Sequence, residues 1–231
     1  MTSLNKYLKN IFWLGWDVIL RLIVGFVVGA YVARYLGVAE FGIYNLALIL
    51  LQLFTTFHSV VLTKELVKDL AANQDTDTRQ KILSNALFLQ LALSALFALI
   101  FPLTVLLIYG SKGDFFLFSL ILSLTIWLNP LYIHKSLNEA NVEVRRTVVP
   151  ENIAFVLGAT AKILIIYLEG GLHHFISLYT LELMMAVFLI NRFGSIKRSD
   201  IVLDRLDRGY MRSLLKRTLP LLVTNLSILI Y

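Results

Sequence analysis

Residues 86–108 read ALFLQLALSALFALIFPLTVLLI, twenty-three positions without a charged side chain. At 1.5 Å rise per residue such a helix is about 35 Å long, enough to cross the ~30 Å hydrocarbon core of a bilayer. A run this long and this apolar is read as a membrane span. Five further apolar runs accompany it: 11–33 and 42–63 before it, then 115–137, 148–168 and 172–190 after it. Composition agrees. Hydrophobic residues fill 58% of the 231 positions and charged residues 16%, against about a quarter charged in a soluble domain. Together these features predict an all-α integral membrane protein, a bundle of six transmembrane helices.

A seventh run opens at Leu219 and reaches Tyr231, the last residue. Its thirteen residues make about 20 Å of helix, short of a full span. The expected organisation is therefore a six-helix membrane lobe over 1–192, a basic amphipathic cytoplasmic linker over 193–217 and the truncated start of a second lobe over 218–231. Two lysines, Lys6 and Lys9, precede the first run in the manner of a signal peptide. The run itself carries Asp17 and Arg21 and is about 23 residues long, which favours a retained first helix.

The basic residues are distributed unevenly. With a cytoplasmic N-terminus, the inner segments hold seventeen of the 21 Lys and Arg residues, including eight between Arg192 and Arg217. The outer segments hold only Arg34 and Lys112, and Arg21 and Lys162 lie within spans. Cytoplasmic loops carry the excess of Lys and Arg, so this bias orients the chain. It also accounts for the net charge of +6 without invoking nucleic acid. In the linker, Ser199 and Asp200 suit a helix N-cap. Val202, Leu206, Tyr210 and Leu214 then fall on one face, with Arg205, Arg208 and Arg212 on another. Such a helix lies at the membrane surface or packs on the cytoplasmic ends of the bundle; the sequence is compatible with both.

Ionisable side chains inside a span are costly and are read first as functional. Asp17 and Arg21 stand one turn apart on one face. They form either an internal ion pair or an orienting carboxylate beside a cation that meets an anionic ligand. Gly25 and Gly29 have the small-xxx-small spacing of close helix packing. Asn45, Gln52 and Ser59, joined by Thr56 and Thr63, form a polar stripe that serves interhelical hydrogen bonds or lines a wet cavity. Glu151, Phe155, Gly158 and Lys162 share a face of the fifth run, with Pro150 suiting a helix start. Glu151 is placed to be solvated at the inner end, and Lys162 either snorkels outward or faces the interior. Glu182, near the middle of the sixth run, is expected to pair with a cation or to take up a proton, and it is the candidate for ion coupling.

Enzyme signatures are poor. There is no cysteine, hence no disulfide and no thiol nucleophile. No G-x-S-x-G, H-E-x-x-H or phosphate-cradling glycine loop occurs. The adjacent His173 and His174 fall in an outer loop, where solvent rather than a metal is expected. No catalytic residue, metal or cofactor is predicted.

The stretch 33–45, Ala-Arg-Tyr-Leu-Gly-Val-Ala-Glu-Phe-Gly-Ile-Tyr-Asn, resembles the R-Y-L-G-x-x-x-F-G-x-Y pattern between the first two helices of polysaccharide transporters. These form a branch of the multidrug/oligosaccharidyl-lipid/polysaccharide exporter superfamily that includes O-antigen flippases of the Wzx type. The stretch from Leu219 to Ser227 resembles the start of that family's second lobe. The resemblance implies flipping of an undecaprenyl-pyrophosphate-linked oligosaccharide across the bacterial inner membrane, driven by a proton or sodium gradient. It implies substrate contacts at Arg21, Lys162, Asp17, Asn45 and Gln52. The partners are the lipid-linked glycan and membrane lipid, with a second transporter lobe or other assembly proteins also expected. A small-molecule exporter of the same superfamily and an inactive truncated product are the alternatives. A membrane glycosyltransferase or polymerase is disfavoured by the short outer loops, 34–41, 109–114 and 169–171.

Overall fold

A computed structural model describes residues 3–56, 61–110, 113–193 and 206–230. Every regular element among them is helical. The order is α1 (Ser3–Thr55), α2 (Val61–Ala72), α3 (Thr76–Tyr109), α4 (Asp114–Leu128), a 3-10 turn (Asn129–Tyr132), α5 (Ile133–Ala140), α6 (Arg145–Tyr167), α7 (Leu172–Phe193) and α8 (Arg208–Ile230). Five helical stretches among the described residues are long and apolar enough to cross a membrane, starting with 5–55 and then following α3, α4 with α5, α6 and α7.

The first stretch carries two of the six apolar runs. Its break is Gly37, at φ 72° and ψ 177°, a backbone conformation that costs glycine little. The chain turns back there. Val24 and Tyr44 would be about 30 Å apart along a straight helix, yet both line one cavity of about 170 Å³. Val32 on one side of the break and Tyr44, Ala47 and Leu51 on the other join one apolar core.

Two cores hold the helices together. One gathers Val32, Tyr44 and Leu51 of α1, Phe101 and Val105 of α3, Leu122 and Ile126 of α4, and Phe175 and Ile176 of α7. The other gathers Leu66 and Leu70 of α2, Ile82 and Leu83 of α3, Ile133 and Leu137 of α5, and Leu214 of α8. Helix α3 is long enough to serve both. It starts ten residues before its apolar run (86–108), because Asp75 caps it by accepting from the Thr78 amide at 2.8 Å.

The fourth apolar run, 115–137, is not one straight helix. Pro130, lacking an amide proton, stands in the 3-10 turn that separates α4 from α5. Pro150 is not at a helix start either. Helix α6 begins at Arg145 and Pro150 lies inside it, directly after a turn in which Val142 has φ 57°.

Helix α8 is continuous from Arg208 to Ile230, so the second half of the basic linker and the seventh apolar run form one element. The Ser199 and Asp200 cap lies outside the described residues. Asp207 performs that role at the observed start, accepting from the Gly209 amide at 2.8 Å. Of the two placements open to the linker helix, packing on the bundle is the one observed over its described part. Leu214 is fully buried, and Tyr210, Met211 and Leu215 lie against the second core. Arg208 and Arg212 face outward.

Candidate functional site

A cavity of about 820 Å³ opens between α1, α2, the 3-10 turn, α5, α6 and α7. Its size falls within the ~300–1,000 Å³ typical of small-molecule sites. The first half of α1 turns only a narrow stripe inward, with Asp17 and Arg21 on it, while Val18, Leu22 and Phe26 of the same helix are exposed. Arg21 Nε donates to Asp17 Oδ1 at 2.8 Å, and a terminal guanidinium nitrogen reaches Glu151 Oε2 of α6 at 3.3 Å. The Arg21 guanidinium also lies 5.3 Å from the centre of the Phe155 ring, a cation–π distance. The other carboxylate oxygen of Glu151 accepts from Lys135 Nζ of α5 at 3.2 Å. One buried carboxylate thus ties α1, α5 and α6.

Further along the face of α6 predicted from the sequence, Lys162 Nζ donates to Glu182 Oε2 of α7 at 3.0 Å. Their side chains are only 15% and 18% exposed, so Lys162 faces the interior and does not snorkel outward. Gly158 makes this pair possible, since a Cβ there would run into the Glu182 carboxylate. Gly25 and Gly29 play a different part. They line the smaller cavity against Phe155 and Ala159, and the Lys162 side chain borders both cavities.

Asp17, Arg21, Lys162 and Glu182 all line the larger cavity. Asn45 and Gln52 do not. The second half of α1 packs through Tyr44, Ala47 and Leu51, and Asn45 and Gln52 sit one position, about 100°, round the helix from that face. Asn45 donates to the Phe41 carbonyl of its own helix at 2.8 Å. Gln52 is exposed. Neither lines the cavity, whereas Tyr44, Leu48 and Thr63 do. Ser59 of the stripe lies outside the described residues.

Sequence reasoning undervalued Glu151. It was placed in solvent at the inner end, but it is 8% exposed and holds two cations. Its four-residue spacing to Phe155 was the available signal. Sequence reasoning missed Tyr44, Tyr132 and Tyr179 altogether; all three line the cavity. Asn129 and Tyr132 enter it because the chain breaks helix there. The lining carries four basic side chains (Arg21, Lys64, Lys135, Lys162) and four acidic ones (Asp17, Glu139, Glu151, Glu182). The cavity is thus electrically balanced when empty, and an anionic ligand has to compete with carboxylates for the cations. Among the described residues no group of three or more His, Cys, Asp or Glu side chains is placed to hold a metal ion.

A second polar cluster lies apart from the cavity, where α8 meets α2. Arg217 grips Asp69 with two parallel bonds of 2.8 and 2.7 Å and reaches Glu65 at 3.4 Å. The Tyr210 hydroxyl donates to the same Asp69 carboxylate at 2.7 Å. The Arg217 hydrogen bond, helped by that of Tyr210 and opposed by burial, holds the Asp69 carboxyl below the usual aspartate range. Lys81 of α3 pairs with Asp207 at 3.0 Å beside the start of α8.

A helical bundle with five stretches long and apolar enough to cross a membrane, around a polar, charge-lined cavity, marks a multi-pass membrane protein. A family model described as polysaccharide biosynthesis protein matches residues 7–231, and the chain belongs to that family, whose members are transporters. No curated protein and no solved structure matches it.

Proposed function

We propose that this chain forms one wall of the path along which an undecaprenyl-pyrophosphate-linked oligosaccharide is flipped from the inner to the outer leaflet of a bacterial inner membrane. The observation that carries the reading is the half-buried Arg21, held between Asp17 and Glu151 and facing the 820 Å³ cavity. A guanidinium presents a planar fork of donors that suits phosphate oxygens, and this one lies within an apolar run long enough to span a membrane. Lys135 and Lys162 add cations within the same cavity. A carboxylate released by an arriving pyrophosphate is left without its counter-charge, which favours proton uptake; this makes Glu151 and Glu182 the coupling candidates. The lysine and arginine bias supports a cytoplasmic N-terminus.

Alternating access commonly uses two bundles that rock about a central site. The spans described above supply one wall, and the opposing wall is expected from a second bundle. The test is complementation of a strain lacking its own flippase. The chain is expressed with and without the second lobe of a full-length family member, and surface glycan is measured. Restoration by the pair, lost with Arg21→Ala at unchanged protein level, is the expected result. Restoration that survives Arg21→Ala removes Arg21 from the path. The four carboxylates of the lining also support a second reading, export of a small organic cation. In that case drug resistance, and not surface glycan, follows expression of the pair.

A further inference from the structure

The ion pairs account for the charged part of the cavity and leave its tyrosines unexplained. Tyr44 comes from α1, Tyr132 from the 3-10 turn and Tyr179 from α7. All three lie within electrostatic range of Glu182, and Tyr132 also lies within range of Arg21 and Glu151. They therefore converge on the Lys162–Glu182 end of the cavity, with Tyr132 between the two ion-pair groups. Tyr44 is only 8% exposed. None of the three hydroxyls has a hydrogen-bond partner among the described residues.

Tyr44 is buried, whereas Tyr132 and Tyr179 are half-buried. A hydroxyl that opens onto a cavity and has no partner in the protein can donate to and accept from whatever fills it, and three of them on one wall suit a ligand with many hydroxyls. Tyrosine offers an apolar ring face together with a polar tip, and a sugar ring offers the complement, an apolar C–H face and a polar edge. Lys162 and Glu182 neutralise each other at 3.0 Å, so this end presents donors and acceptors with little net charge. It suits an uncharged polyol better than a phosphate. The cavity holds roughly 27 water-sized volumes, room for a pyrophosphate and one sugar ring.

We infer that Tyr44, Tyr132 and Tyr179, with Glu182, form a sugar subsite that takes the first ring of the glycan while the Arg21 end takes the pyrophosphate. This rests on the flippase reading and adds to it the residues that select the head group. The experiment uses the purified 231-residue chain in lipid nanodiscs. Its probes are farnesyl pyrophosphate and the glucosyl, galactosyl and N-acetylglucosaminyl esters of the same molecule, with affinities measured by thermophoresis. At least one glycosylated probe is expected to bind about ten-fold more tightly than farnesyl pyrophosphate, the scale of one or two net hydrogen bonds. The triple variant Tyr44→Phe, Tyr132→Phe, Tyr179→Phe keeps the rings and removes the hydroxyls. It is expected to lose that preference, so that the glycosylated probes bind no more tightly than farnesyl pyrophosphate. Tyr44→Phe alone, with a checked melting temperature, gives a partial loss should the triple variant fail to fold.

Three results overturn the inference alone: no glycosylated probe preferred by the wild type, a preference that survives removal of the hydroxyls, or equal weakening of both kinds of probe. Failure of the wild type to bind any of the prenyl pyrophosphates contradicts the flippase reading itself.

Discussion

Gly158 and Gly25 look alike in the sequence, each a glycine in an apolar run, yet they have opposite surroundings. A methyl group at Gly158 collides with the Glu182 carboxylate, whereas one at Gly25 finds only Phe155 Cζ, at 3.8 Å. Gly158→Ala is expected to separate Lys162 from Glu182 and to destabilise the protein by about 1–3 kcal/mol, the usual cost of overpacking. Gly25→Ala is expected to be neutral or slightly stabilising, because alanine is the better helix former. Melting temperatures of the two variants in one detergent decide between these outcomes, and equal shifts would refute the contrast. At this scale the sequence shows only what lies within one helix. The Asp17–Arg21 pair is legible because four residues make one turn. The Lys162–Glu182 pair is not, because its partners belong to different helices and no spacing relates them. The tyrosines escaped notice for a related reason: a tyrosine near a membrane span reads as an interfacial anchor until neighbouring helices enclose it.

Helices followed from hydropathy wherever the bilayer alone determines them, as in α6 and α7. The reading failed where polar contacts extend or interrupt a helix. Hydropathy places the start of α3 at residue 86, because Arg79 and Lys81 are charged, but the Asp75 cap and the buried Ile82 and Leu83 carry the helix back to Thr76. Hydropathy also runs through Pro130, where the chain leaves the α-helix and delivers Asn129 and Tyr132 to the cavity. Helix α8 shows how such polar contacts hold an element. The carboxyl of Asp69 lies below its usual range when α8 is docked, so docking gains stability from the ionised form. That contribution is present above the unfolded aspartate pKa and is lost as pH falls through the lowered native value. The melting temperature of wild type should exceed that of Asp69→Asn at pH 7, by the equivalent of about 1 kcal/mol for a half-exposed bidentate pair. The gap should close in acid, below about pH 4. A gap that is unchanged at pH 3 would show that Asp69 acts through packing and not through its charge.

For the molecule as a whole, the proposed orientation rests on the lysine and arginine bias, and its test is labelling of single cysteines. Cysteines at Lys9 and Gln74 should react only with reagent supplied from the cytoplasm, and those at Asp114 and Glu169 with reagent supplied outside. Outside labelling at Gln74 would break the count of spans, because it lies one crossing from Asp114. The exposed apolar side chains of α1, among them Ile11, Val18, Leu22 and Phe26, suit a lipid-facing surface in this arrangement, while Asp17 and Arg21 of the same helix face the cavity. The central claim is that this cavity receives a lipid-linked glycan. Phe155 borders it beside Arg21 and makes no ion pair of its own. A photoreactive phenylalanine analogue placed at that position, in cells that assemble surface polysaccharide, should on irradiation form an adduct. Mass spectrometry of that adduct is the most direct measurement. A prenyl-pyrophosphate-linked sugar on the labelled peptide is the predicted result; phospholipid adducts alone, at the same yield when glycan assembly is blocked, would contradict the account.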